Sequence, residues 1–214
     1  LLEGDNMAIF APNQSRPYAI HPHRTVIQTP DSQEAFSHLL TQLKHRYGQY
    51  VHLSSRKGKQ LQLVFHHSLD YLLGENIWEA LGKPANLIYC EAIPEQKQTI
   101  LVIVHNHHVY LDTKIPMKHL LEELRPLAET KRPYQVALHG HLPVSALQSM
   151  FHSQHPFSIE NHSLIQSLTP VKQHAFSKQT IDYPWSWHTL FYQWQAFLSK
   201  LCMPLVTIKT ASTP

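Results

Sequence analysis

The stretch Ile100-Leu-Val-Ile-Val104, followed by His105-Asn-His-His108 and then Val109-Tyr-Leu-Asp112, decides the fold of this chain. Five consecutive apolar side chains bounded by polar residues are typical of a strand that is buried on both faces. Asn106 adopts positive φ at low cost, so a short turn through Asn106-His107 brings the chain back as a second strand. The stretch therefore predicts a β-hairpin at the centre of a sheet.

The segments on either side extend this hairpin into an α/β domain. A third strand at 87–93 precedes it, so strands 87–93, 99–104 and 108–112 form an antiparallel meander. Pro116 begins a helix whose apolar residues fall on one side, and a strand at 134–138 and a helix at 143–151 follow. The helix is marked by four residues: Leu120, Leu121, Leu124 and Leu127. The sequence predicts the α/β (α+β) class, with a mixed sheet that contains an antiparallel meander and has helices packed on it.

The domain organisation follows from the same pattern. Asp31-Ser-Gln-Glu34 has the spacing of a capping box and predicts a helix that Gly48 ends. We expect residues 7–182 to form one mixed α/β domain, with two subdomains divided near 85–98 as the alternative. A C-terminal aromatic amphipathic helix is predicted at 183–203.

Composition narrows the class of partner. The chain has 214 residues and a net charge of +3, which is too small a charge to indicate nucleic-acid binding. Arg56-Lys-Gly-Lys59 is the densest basic run, and a solvated hairpin turn explains it better than a phosphate site. Binding of nucleic acid through this run stays open as a third hypothesis.

Cysteine usage and apolar runs bear on localisation. Cys90 and Cys202 are too few for a disulfide framework, and no secretory segment opens the sequence, so a cytoplasmic setting is expected. No run of about 18 apolar residues is present. Leu1–Asn6 and Ala211–Pro214 resemble the ends of a fragment, and a membrane span beyond either end stays open as a hypothesis.

The aromatic C-terminal segment is the predicted partner-binding surface. Trp187, Leu190, Phe191 and Trp194 recur at three- and four-residue steps, which gives one broad aromatic helix face. A helix docked on its own domain is the simpler interpretation, and a partner-binding or membrane-surface helix is the alternative. The predicted partner-binding residues are Trp185, Trp187, Phe191, Trp194 and Phe197.

Eighteen histidines are the compositional oddity of the chain. Three pairs have the i, i+2 spacing that places two imidazoles on one face of a strand, namely His21 and His23, His105 and His107, and His139 and His141. Two such pairs on neighbouring strands are able to form a tetrahedral zinc site. Because two of the pairs fall at predicted turns or strand ends, exposed imidazoles without a metal are the preferred interpretation.

Motifs for other chemistry are missing from the sequence. There is no Gly-x-Ser-x-Gly, and the six glycines form no phosphate-binding loop, so no cofactor is predicted. Cys90 lies within an apolar strand and is expected to be inert. Asp70 and Asp112 lie at element ends, where carboxylates more often cap a helix than act as a general acid and base.

The hairpin and its flanks resemble a known family. Ile100–Asp112, followed by Leu120-Leu-Glu-Glu-Leu124 and Tyr134-Gln-Val-Ala-Leu-His-Gly140, is similar to the actin-like cytoplasmic domains of type IV pilus and type II secretion inner-membrane assembly proteins, the PilM and GspL families. The resemblance implies a degenerate actin-like (ribonuclease H-like) fold. It also implies a non-catalytic adaptor that recruits a cytoplasmic ATPase or a platform protein. The missing glycine-rich loops depart from the nucleotide-binding members of these families.

Two functions follow as hypotheses. The first is a non-catalytic scaffold of a bacterial pilus or secretion assembly, located at the cytoplasmic face of the inner membrane and binding other subunits of that machine through an exposed sheet edge or the aromatic helix. The alternative is a zinc-dependent hydrolase that uses paired histidines.

Overall fold

The computed structural model describes residues 17–55, 60–68, 70–130, 132–151 and 156–177. The strands in these ranges are β1 (Tyr18–Ala19), β2 (His23–Gln28), β3 (Tyr50–Ser55), β4 (Gln60–His66), β5 (Tyr71–Leu72), β6 (Leu87–Ile93), β7 (Gln98–His105), β8 (His108–Pro116), β9 (Gln135–His139) and β10 (Phe157–Glu160). The α-helices are α1 (Gln33–Tyr47), α2 (Leu73–Ala80), α3 (Leu120–Ala128), α4 (Val144–Met150) and α5 (Leu164–Ser167). Short 3-10 turns lie at Pro94–Gln96, Met117–His119 and Lys172–His174.

The large sheet has five strands in the order β8-β7-β6-β9-β10. β7 runs antiparallel to β6 and β8, whereas β9 is parallel to both β6 and β10. The α/β class, the mixed sheet and the antiparallel meander are therefore confirmed. With β6 counted as the first strand, the order 3-2-1-4-5 with an antiparallel second strand is that of the ribonuclease H-like fold.

The central strand β7 is buried on both faces because its apolar residues alternate between two cores. Ile100, Val102 and Val104 pack in a core with α2 and α5, and Leu101 and Ile103 pack in a core with α3 and α4. The turn after β7 has φ of 49° at Asn106 and 64° at His107, as a two-residue hairpin with right-handed twist requires.

A smaller sheet of three antiparallel strands, in the order β2-β4-β3, carries α1 on one face. Phe36 and Leu40 of α1 pack on Leu61, Leu63 and Phe65 of β4. α1 begins one residue later than the capping pattern suggests, because the Ser32 side chain, not that of Asp31, accepts a hydrogen bond from Ala35 N.

Gly48 ends α1, as the sequence predicts. Its N–H donates to the carbonyl of Lys44 at 3.1 Å, and its φ is 126°. A Cβ at this position would lie 2.3 Å from the carbonyl oxygen of His66 at the end of β4. Both the backbone conformation and the close approach of β4 therefore require glycine.

Two element boundaries differ from the sequence-based expectation. The sequence also indicates a short helix from Leu69 to Leu81, but α2 begins only at Leu73, because Tyr71–Leu72 pairs with β1 as a short parallel strand. Pro116 closes β8 and does not open a helix, and a 3-10 turn separates it from α3. None of the helices in the described ranges is long and apolar enough to cross a bilayer.

Candidate functional site

The parallel strands of the large sheet end on the same side of it, and a cleft opens there. β6, β9 and β10 run in the same direction, so their C-terminal ends meet, and this is where α/β sheets place their ligands. The cleft has a volume of about 660 Å³. Among the residues that line it are Glu91 at the end of β6, Lys114 of β8, and Gly140, His141 and His162 from the loops after β9 and β10.

Glu91 is buried at the wall of this cleft, and both of its carboxylate oxygens accept hydrogen bonds there. Its carboxylate accepts hydrogen bonds from the backbone N–H of Leu164 at 3.1 Å and of Ile165 at 3.2 Å, and from the hydroxyls of Ser163 and Tyr89. Burial raises the pKa of Tyr89 well above its usual value, and the Glu91 carboxylate raises it further. Tyr89 is therefore a neutral donor, and Glu91 anchors the start of α5.

Next to Glu91 lies a group that we call the His139 cluster, formed by His139, Glu160 and His162. One possible ligand atom from each residue lies within 4.8 Å of the others. His139 is the last residue of β9 and is buried, whereas Glu160 ends β10 and His162 follows it, and both of these are exposed. The Nε2 of His162 lies 2.7 Å from Glu160 Oε2. Two imidazoles and a carboxylate form a ligand set that binds zinc.

A second charged group, the Arg24 cluster, joins the two sheets. Arg24 of β2 donates to Asp112 of β8 from Nε at 2.9 Å and from Nη2 at 2.8 Å. The same guanidinium donates to Glu75 of α2, with Nη2 at 2.8 Å from Oε2. The backbone N–H of Gly74 donates to Asp112 Oδ2 at 3.2 Å. The three side chains are 9%, 12% and 1% exposed for Arg24, Glu75 and Asp112, so this is a buried clamp.

The two carboxylates of the Arg24 cluster differ in their electrostatics. Burial raises the pKa of Asp112 above its usual value, the negative charge of Glu75 adds to this rise, and Arg24 offsets it only in part. Burial acts on Glu75 in the same direction, but the charge and hydrogen bonds of Arg24 outweigh it and leave the pKa of Glu75 lowered. The general acid–base reading of Asp112 is disfavoured, since both of its oxygens are held by hydrogen bonds.

Two of the predicted histidine pairs lie at opposite ends of the large sheet. His105 pairs with His108 at the hairpin end, where its ring contacts Tyr134, whereas His139 pairs with Glu91 at the cleft end. His105 is level with Asn86, which precedes Glu91 by five residues, and this is about 17 Å at about 3.3 Å per residue. The structure therefore does not bring the pair His105 and His107 together with the pair His139 and His141.

Gly140 explains why the side chains of His139 and His141 do not share one face of a strand. Its φ of 74° turns the chain out of the strand, so the alternation of strand side chains ends at His139. His141 lines the cleft, and the residues grouped with His139 are instead Glu160 and His162. The sequence analysis missed these two, although Glu160-Asn-His162 offered a carboxylate and an imidazole two residues apart.

The other residues singled out in the sequence do not belong to either cluster. The predicted partner-binding residues Trp185, Trp187, Phe191, Trp194 and Phe197 lie outside the described residues. Cys90 is a buried free thiol whose pKa is raised by burial, which agrees with an inert core residue. Asp70 accepts a hydrogen bond from the Ser68 hydroxyl and lies 3.5 Å from His66 Nδ1.

The strand order of the large sheet is that of the ribonuclease H-like fold. No protein-family model matches the sequence, and no curated protein matches it. Among solved structures, the chain is similar to the cytoplasmic domain of BfpC, with a TM-score of 0.43 and 11% identity over 81% of this chain and 98% of that chain.

A second similar structure is a protein of unknown function from Bacteroides thetaiotaomicron with an actin-like ATPase fold. Its TM-score is 0.34, with 12% identity over 64% of this chain and 65% of that chain. The first of these proteins is a cytoplasmic domain and the second has an actin-like fold, which are two of the features that the sequence resemblance names.

Proposed function

We propose that this chain is a non-catalytic scaffold domain that binds other protein subunits of a bacterial pilus or secretion assembly at the cytoplasmic face of the inner membrane. The resemblance of residues 100–140 to the PilM and GspL families supports the kind of assembly. The observation that carries a binding role is the outer edge of β10, which none of the described residues pairs with.

The geometry of β10 makes this edge a place for strand addition. The carbonyls of Pro156 and Glu160 accept hydrogen bonds from Val136 and Gly140 on the β9 side. Because alternate residues of a strand direct their amide groups to opposite sides, Phe157 and Ile159 direct theirs outward. The Ile159 side chain is 44% exposed. An extended segment of a partner would gain main-chain hydrogen bonds and an apolar contact here.

The opposite edge of the large sheet is occupied by the smaller sheet and its flank. The backbone N–H of His21 donates to the Asp112 carbonyl at 3.2 Å, and Gln62 Nε2 donates to the Val109 carbonyl at 3.0 Å. Of the two edges, the β10 edge is therefore the one that the described part of the chain leaves for a partner. The predicted aromatic helix at 183–203 remains the second proposed contact.

Site-specific photocrosslinking in the organism that encodes the protein tests this proposal. A photoreactive residue at position 159 is expected to crosslink to a subunit of an envelope-spanning assembly. The same residue at Tyr110, which is 69% exposed on β8, is the control and is expected not to do so. Equal crosslinking at both positions, or crosslinks only to proteins of unrelated processes, would contradict the proposal.

Substitutions in the full chain separate the two proposed contacts. Ile159→Pro removes the outward amide while leaving the β9 hydrogen bonds, so partner capture and assembly are expected to fall, whereas Ile159→Val is expected to retain both. Trp187→Ala combined with Trp194→Ala tests the aromatic helix. If only the tryptophan variant loses the partner, the helix and not the β10 edge is the contact.

A further inference from the structure

We propose that the His139 cluster binds one divalent metal ion of the zinc class, with a fourth coordination position that faces the cleft. His139 and Glu160 end two neighbouring parallel strands, β9 and β10, and His162 follows β10, so the sheet itself brings the three side chains together. Binding of the ion does not depend on the scaffold function proposed above.

The first support is the orientation of His139. Its Nδ1 lies 3.1 Å from the backbone carbonyl of His162. A carbonyl oxygen only accepts hydrogen bonds, so Nδ1 carries the proton and Nε2 keeps its lone pair. Histidines that bind metals almost always donate their other ring N–H to a carbonyl or a carboxylate in this way.

The second support is the contrast in exposure within the cluster. His139 is 2% exposed and its ring packs against Tyr89 at a centroid distance of 5.3 Å, so it forms a fixed ligand. The side chains of Glu160 and His162 are 45% and 69% exposed, so an ion reaches the cluster from their side. An ion about 2.0–2.2 Å from each ligand would take the place of their contact of 2.7 Å.

The ligand types select the metal. Imidazole nitrogen favours zinc and its neighbours, whereas magnesium and calcium favour sites made of oxygen alone. A set of two histidines and one glutamate provides three protein ligands and leaves one position for water or for a small ligand. His162 lines the cleft together with Lys114 and His141, so that position faces a polar space that an anion can enter.

Titration of the full-length chain with zinc alone tests this inference. After removal of metal by a chelator, calorimetry is expected to show one tight site per chain. His162→Asn and Glu160→Gln are each expected to lower the zinc affinity by more than about tenfold, since loss of an outer-shell partner alone costs about 10–100-fold. Both side chains are exposed, so the variants are expected to fold, which circular dichroism checks.

The matched control is a second exposed histidine–glutamate pair. His119 Nδ1 lies 3.4 Å from Glu122 Oε2 on α3 and its preceding turn, and the described residues group no third ligand with them. His119→Gln combined with Glu122→Gln is expected to leave the tight site unchanged. An equal loss of affinity in this control would mean that zinc binds to surface histidines in general, and would overturn the proposal.

Cobalt supplies a readout of geometry. Co²⁺ substituted into the wild-type chain is expected to give the visible absorption of a four-coordinate site, and His162→Asn is expected to lose it. Wild-type protein that shows only weak binding to several sites, or binding that neither cluster variant alters, would also overturn the inference.

Discussion

The Arg24 cluster and the His139 cluster are both built from basic and acidic side chains and both include a residue of the large sheet, yet they differ in how far their polar atoms are satisfied. Arg24 holds two buried carboxylates, and each carboxylate has defined donors. In the His139 cluster, two of the three side chains are exposed and a ring nitrogen of His139 keeps a lone pair. Satisfied and buried groups hold elements together, whereas groups with spare lone pairs are available to a ligand.

Removal of the cation is expected to have the largest effect on stability. Arg24→Met leaves Glu75 and Asp112 buried with no counter-charge, which costs about 3–5 kcal/mol of unfolding free energy. Urea denaturation at neutral pH measures it. The control is Lys83→Met, whose ion pair with Glu79 spans 2.8 Å but is exposed, and its expected cost is about 0–1 kcal/mol. Equal costs for the two variants would contradict the distinction between the clusters.

Crowding at the Arg24 cluster is expected to have the second-largest effect on stability. A Cβ on Gly74 would lie 2.7 Å from Val109 Cγ1 and 3.1 Å from Asp112 Oδ2. Gly74→Ala is therefore expected to lower the unfolding free energy by about 1–3 kcal/mol despite the better helix propensity of alanine. An unchanged or increased denaturation midpoint would show that α2 is able to move away from β8 without loss.

Two histidines near the Arg24 cluster, one half-buried and one buried, predict a moderate dependence of stability on pH. Burial lowers the pKa of His52 and of His66 below the usual value of 6.5. The unfolded chain therefore takes up protons first, so stability is full above about pH 6.5 and falls as the pH drops towards the folded pKa values. Urea midpoints between about pH 7.5 and about pH 5 are expected to show this fall.

His52→Gln is expected to flatten that fall in part, because one of the two imidazoles with a lowered pKa is removed. The control is His38→Gln, on the exposed face of α1, which tests whether the loss of any histidine has the same effect. If both variants flatten the curve equally, burial is not the cause of the pH dependence.

The smallest effect is expected at the His139 cluster. Glu160→Gln changes an exposed side chain with one partner, so the unfolding free energy without metal is expected to shift by less than about 0.5 kcal/mol. With zinc present, the wild type is expected to gain stability that this variant lacks, since a ligand stabilises the state that binds it. A large loss of stability without metal would place Glu160 among the structural groups.

Local pattern was sufficient to predict the centre of the fold. The meander of β6, β7 and β8 follows from apolar runs and from the Asn106-His107 turn, and those patterns depend only on neighbouring residues. Gly48 is predicted as a helix end for the same reason. The short strands β1, β5 and β10 carry too few residues to show a period, so their pairing was not predicted.

The two clusters could not be predicted from local sequence patterns, because their members come from separate parts of the chain. Arg24 and Asp112 are 88 residues apart, and only the packing of the smaller sheet on β8 brings them together. The histidine spacing drew attention to His139 and His141, but the turn at Gly140 and the parallel pairing of β10 determine the neighbours of His139. Spacing predicts a shared face only while the strand continues.

Position 48 is a junction that accepts only one type of residue. A β-carbon there would meet the His66 carbonyl oxygen at 2.3 Å, so any side chain would force α1 and the end of β4 apart. The separation between the first helix and the three-stranded sheet is thus set by a hydrogen atom at this position.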